Sequence, residues 1–160
     1  MVEYLAGFVD NNEILSIAKK YGENLARVIK HMHITLAYKP TGAVLDEYYQ
    51  YLGEIIKLEI KKYGNDGINE GLMVEAISEN EKLQKYLNKV LVNTIPHITI
   101  SVNDEQDENG LKVGKPVDTP KLFTNENSSY VKKTEKFTVY AKLGIYVVDG
   151  EKEKVKYTIC

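Results

Sequence analysis

Cysteine, arginine and long apolar runs are all scarce in this chain of 160 residues. The one cysteine, Cys160, has no second thiol to pair with, which excludes an internal disulfide and any cysteine-based zinc set. Arg27 is the single arginine among 21 basic residues and the formal charge is −2, so no basic stripe is available to grip long duplex nucleic acid. No run of side chains approaches the apolar length of a bilayer span. Met1-Val2-Glu3-Tyr4 lacks the basic region, apolar run and cleavage site of a secretory signal, so a cytoplasmic location (host cytoplasm, were the source viral) and no membrane partner are expected. Familiar motifs are missing too: there is no Gly-rich phosphate loop, dinucleotide fingerprint or serine elbow. Asp104 to Gly110 has only a passing likeness to a calcium loop, because Gln106 and Asp107 break its order and no glutamate closes it.

What is present suits a single domain over residues 1–160, with 43% apolar and 28% charged residues and length enough for one core. Val2 to Val9 reads as a strand ended by Asp10-Asn11-Asn12, whose side chains can cap a helix from Glu13 to Tyr21 that stops at Gly22. Strand-forming sequence between Ala26 and Tyr38 runs into the turn Lys39-Pro40-Thr41-Gly42. Leu45 to Leu52 suggests a short helix, and Glu54 to Tyr63 and Leu72 to Ile77 read as strands around the hairpin turn Gly64-Asn65-Asp66-Gly67. Asn80 caps a helix reaching Val90, and a strand from Pro96 to Val102 follows. Asp104 to Pro120 reads as loop, Phe137 to Val148 as a strand, and Asp149-Gly150 as a turn into a last strand, Val155 to Ile159. This order points to an α+β fold of two similar lobes, with two antiparallel sheets facing a central cleft and helices outside.

Two strings share one plan: His33-Ile34-Thr35-Leu36 and His97-Ile98-Thr99-Ile100. Successive side chains of a strand alternate, so His33 and Thr35 share one face while Ile34 and Leu36 take the other, and His97 and Thr99 repeat the arrangement. Imidazole and hydroxyl presented twice ask for a shared polar ligand of about phosphate size. Two histidines at one phosphorus can divide the work of phosphodiester cleavage, one neutral ring taking the proton of the attacking oxygen and one protonated ring supplying the leaving oxygen. Imidazole suits both tasks because its ordinary pKa is about 6.5. The hydroxyls of Thr35 and Thr99 can donate to the nonbridging oxygens, and no cofactor or metal is required.

On these strings the chain resembles the two-histidine (2H) phosphoesterase superfamily, whose members carry two His-x-Thr/Ser motifs on facing strands. The wider string His33-Ile34-Thr35-Leu36-Ala37-Tyr38-Lys39-Pro40, with Gly114-Lys115-Pro116-Val117 after the second motif, is similar to the RNA-repair-like branch related to the phosphodiesterase part of fungal tRNA ligase. Phage members that destroy cyclic nucleotide signals of host defence are also similar in size and motif plan. The resemblance implies a bilobal fold, His33, Thr35, His97 and Thr99 as the catalytic set, and a cyclic nucleotide, cyclic oligonucleotide or short RNA as substrate.

Further residues are candidates for substrate binding. Tyr38 can stack on a base and Lys39 can screen phosphate, though with twelve tyrosines in the chain edge packing accounts for Tyr38 equally well. Arg27 offers a planar fork to a second phosphate, or is an ordinary surface residue. Lys132-Lys133 near Tyr130 reads as a nucleotide clamp or as a solvated pair. His31, His33 and His97 would make a poor zinc set, since no carboxylate accompanies them. A noncatalytic module that binds nucleotides without cleaving them is the alternative from another class.

Overall fold

Strand β1 (Val2–Phe8) leads into helix α1 (Asn11–Lys19), the short strand β2 (Arg27–Val28) and β3 (His33–Tyr38). Helix α2 (Gly42–Tyr48) precedes β4 (Ile55–Asn65), β5 (Asn69–Ile77), α3 (Glu81–Val90) and β6 (His97–Val102). A 3-10 segment, Pro116–Phe123, comes before β7 (Val131–Asp149) and β8 (Lys152–Lys156). The computed structural model describes residues 1–104, 114–124 and 128–159. Cys160 and the calcium-like stretch from 105 onward lie outside the described residues.

The α+β class stands, but the strands do not form two separate sheets facing a cleft. They make one continuous antiparallel sheet in the order β1-β3-β6-β5-β4-β7, and β7 pairs back to β1 to close a six-stranded ring. The reason lies in β7, whose 19 residues serve both sides of the molecule. Its first part pairs with β4 (Ile60↔Phe137) and its second part with β1 (Gly7↔Leu143). β8 extends the edge of β7, and β2 pairs beside the end of β6. Strand formation begins at Val131 rather than Phe137 because β4 supplies a hydrogen-bonding template that the lysine-rich sequence does not announce. The last strand is Lys152–Lys156, directly after the Asp149-Gly150 turn, where Gly150 has a φ of 64° that favours glycine.

Within the ring a strand–helix–strand unit occurs twice, as β1-α1-β3 and β5-α3-β6. Both helices start from a side-chain cap: Asp10 accepts from the backbone N–H groups of Asn12 and Glu13, and Asn80 from those of Lys82 and Leu83. Helix α1 therefore starts two residues before the expected Glu13 and is over by Lys19. Leu45 to Leu52 resolves into α2, which begins earlier at Gly42, and a 3-10 turn over Tyr49–Tyr51.

The core explains which face of each strand looks out. Leu5, Ile34, Ile98, Leu72, Leu58 and Val139 come one from each ring strand, and all belong to a single buried cluster. Only the inside of a closed ring brings six strands to one cluster, so these side chains fill it and their sequence neighbours point outward. Ile14, Ile17 and Ala18 of α1 and Leu83, Tyr86 and Leu87 of α3 join the same cluster, so the helices complete the ring's core instead of forming outer layers. Truncating Leu58 or Ile98 to alanine costs about 2–5 kcal/mol at such fully buried sites. Polar ties reinforce the closure: the Tyr48 hydroxyl reaches the Gly144 carbonyl on β7 at 2.7 Å and the Ala6 carbonyl on β1 at 3.1 Å. The buried carboxyl of Glu70 accepts from the Tyr63 hydroxyl at 2.6 Å and the Ser101 hydroxyl at 2.7 Å, and burial pushes its pKa up.

Candidate active site

The two His-x-Thr strings meet where β3 and β6 touch. Ile34 and Ile98 are register partners, both fully buried on the inward face. Extending this antiparallel ladder by one residue either way sets His33 beside Thr99 and Thr35 beside His97, all four on the outward face. The histidines are then diagonal neighbours on one surface, close enough that the charge of His97 acts on His33.

Both rings are held in the same way. His33 Nδ1 lies 2.7 Å from the carbonyl of His31, and His97 Nδ1 lies 2.8 Å from the carbonyl of Ile95. A carbonyl can only accept, so each Nδ1 carries the proton and each Nε2 keeps its lone pair. Burial holds both pKa values below the ordinary imidazole value, partly offset by these carbonyl hydrogen bonds. His33 is lowered further by the charges of His97 and His31.

Neighbouring elements fix the approach of each strand. Ahead of β3, the Asn11 amide donates to the carbonyls of Ile29 at 3.2 Å and Lys30 at 2.8 Å, and its oxygen accepts from the Met32 N–H at 2.9 Å. Asn11 thus pins the turn whose His31 carbonyl orients His33, and Asp10 alone caps α1. Ahead of β6, the Val74 N–H donates to the Pro96 carbonyl at 3.0 Å.

The threonines differ. Thr99 Oγ1 stands 2.8 Å from Thr119 Oγ1 and 3.3 Å from the Pro116 carbonyl, and Thr119 also accepts from the Asn69 amide at 3.0 Å. The 3-10 segment lies close over β5: a Cβ added at Gly71 would collide with the Thr119 methyl. The Thr35 hydroxyl, by contrast, has no hydrogen-bond partner among the described residues and is half-buried.

An aromatic wall stands on the His33 side. The Tyr4 ring stacks on His33 at 4.7 Å and 20° and on Tyr146 at 4.7 Å and 3°. Phe8 lies 5.6 Å from His33, and the Tyr157 ring meets Phe8 edge-on at 6.1 Å. Sequence reading missed Tyr4 and Phe8 as site residues, although their spacing of four on β1 places both on one face.

The remaining candidates lie apart from the histidine pair. Tyr38 is exposed at the end of β3, five residues or about 16 Å of strand from His33, with its hydroxyl donating to Glu3 at 2.8 Å. The Lys39 ammonium sits 5.5 Å from the Tyr38 ring, and its backbone has a φ of 44°. Arg27 Nε pairs with Asp104 at 2.8 Å beside the end of β6. Lys132 donates to the Tyr21 carbonyl at 2.9 Å. The His31 ring is exposed, and its carbonyl holds His33 Nδ1. Among the described residues, no three His, Cys, Asp or Glu side chains come together as a metal-holding group. No family model and no curated protein sequence matches the chain.

Proposed function

We propose that this protein is a phosphodiesterase that cleaves RNA-type phosphodiesters or 2′,3′-cyclic phosphates without a metal, with His33 and His97 as its acid–base pair. One observation carries the reading. Two imidazoles from adjacent strands share one outward face, each with Nδ1 tied to a carbonyl and Nε2 left for chemistry. The two-lobed plan expected from the resemblance finds support in the repeated strand–helix–strand unit.

The two rings divide the labour: both titrate below the ordinary imidazole value, mainly through burial, and one is neutral while the other carries the shared proton. The neutral ring takes at Nε2 the proton of the attacking oxygen, from water on a cyclic phosphate or from a ribose 2′-hydroxyl on a linear strand. The new P–O bond forms as the old one breaks, and the protonated ring gives its proton to the leaving oxygen. Proton exchange with solvent then restores the starting pair. Thr35 donates its unengaged hydroxyl to a nonbridging oxygen, while Thr99, bound to Thr119, holds the β6 side of the cradle in place.

The test is turnover of a 2′,3′-cyclic nucleotide across pH, with and without chelator. The expected result is a bell-shaped profile, centred on the acidic side of about 6.5 and unchanged by chelator. Activity that chelator abolishes and zinc restores would overturn the reading.

A further inference from the structure

The row of residues that contains His97 continues across the outside of the ring to two lysines. Met73 is the register partner of His97, Lys62 that of Met73, and Lys133 that of Lys62. Directly paired residues of an antiparallel ladder point to the same face, so His97, Met73, Lys62 and Lys133 form one line over four strands. Strand spacing puts Lys62 about 10 Å and Lys133 about 14 Å from His97, backbone to backbone.

Three residues of this line, Met73, Lys62 and Lys133, border a groove of about 630 Å3 that is also lined by apolar Ile95 and Pro96 and by Lys61 and Glu75. The volume is within the range of small-molecule sites. The groove adjoins His97, whose Nδ1 is held by the carbonyl of Ile95, one of the groove's lining residues. Lys61 is neutralised by Glu59 at 2.9 Å and Glu75 at 3.3 Å. Neither Lys62 nor Lys133 meets a carboxylate among the described residues. Two free ammonium groups above an apolar floor match one chemistry, a phosphate with a base beside it.

Resting on the assignment of the histidine pair, we infer that this groove is a binding site for a second phosphate and its nucleoside. The substrate is then an oligonucleotide, linear or cyclic, with at least two phosphates, and not a mononucleotide. The scissile phosphate lies between His33 and His97. A further phosphate of the strand lies between Lys62 and Lys133, with its base over Met73 and Pro96.

The experiment compares binding of a fluorescein-labelled RNA trinucleotide and of AMP to the wild-type protein, to Lys62→Ala/Lys133→Ala and to Lys62→Glu/Lys133→Glu. These side chains lie on the outer face, and equal melting temperatures check that the fold is intact. The trinucleotide Kd should rise about 10-fold in the alanine pair and further in the glutamate pair, with the salt dependence falling by about one unit per lysine removed. AMP binding should stay within two-fold. Trinucleotide binding unaffected by both variants, or AMP binding weakened in parallel, overturns the inference. Scoring cleavage in the same samples separates the two claims. A trinucleotide that binds through the lysines and stays intact sinks the phosphodiesterase reading alone, and one that is cleaved without regard to the lysines sinks the groove alone.

Discussion

The half-site on β3 and the half-site on β6 are alike at the histidine and unlike two residues later. His33 and His97 each lean on the carbonyl two positions upstream, at 2.7 and 2.8 Å. Thr35 has no hydrogen-bond partner among the described residues, whereas Thr99 is engaged by Thr119 and Pro116. The surroundings differ as well: Tyr4, Phe8 and Tyr146 crowd the β3 side, and the 3-10 segment covers the β6 side. The same tripeptide motif therefore yields two equivalently held imidazoles but, among the described residues, only one hydroxyl without a partner. Symmetry holds where the backbone of the strand itself supplies the contact and fails where later segments of chain lie on top.

The equivalence of the two histidines is tested most severely by removing them. His33→Ala and His97→Ala should each lower kcat by about 10²–10⁴-fold, and the double variant should be little worse than either, because the pair acts as a unit. Additive losses would mean that the rings work independently. The inequality of the threonines comes next. Thr35→Val should cost about 10²-fold in kcat with little change in melting temperature, as for loss of a transition-state donor. Thr99→Val should cost less than about 10-fold in rate but about 1 kcal/mol in stability, since it strips a partner from buried Thr119. Serine at either position should restore most of the lost function, and equal rate losses for the two valine variants would erase the distinction.

A smaller effect concerns stability against pH. Both histidines titrate below their unfolded value of about 6.5, so between the two values the unfolded chain binds more protons than the folded one. Stability from this source is full above about 6.5 and falls as the pH drops through that window. Relative to His33→Gln/His97→Gln, the wild-type protein should lose stability on acidification, measured as the denaturation midpoint from pH 8 to pH 5. A constant difference would contradict the burial that sets both shifts. The smallest effect should come from Tyr4→Ala. Uncovering His33 to water raises its pKa and moves one limb of the rate profile upward by less than about one unit, leaving the other where it was.

Much of the site was legible because strand alternation is a local property. His33 and Thr35 had to share a face, Ile34 had to oppose them, and the same held around Ile98. The caps at Asp10 and Asn80 and the turn at Asp149-Gly150 were equally local. Asn11 was misread for the opposite reason: a cap and a clamp on a distant turn use the same side chain, and only the position of the carbonyls of Ile29 and Lys30 decides between them. For Tyr38 the sequence leaves base stacking and edge packing open, and its place at the end of β3, with its hydroxyl on Glu3, is a tertiary fact.

By itself, then, the chain's order of residues determined the α+β class, the facing of each motif and the chemistry that two imidazoles and two hydroxyls permit, since these depend on spacing along one strand. The tertiary structure decided the rest. It joined Ile34 to Ile98, closed one sheet through β7 where two were expected, engaged Thr99 while leaving Thr35 open, and aligned Lys62 and Lys133 with His97. Each of these is a pairing between residues far apart in sequence. Register between distant strands is set by the packing of the whole core, which no local pattern encodes.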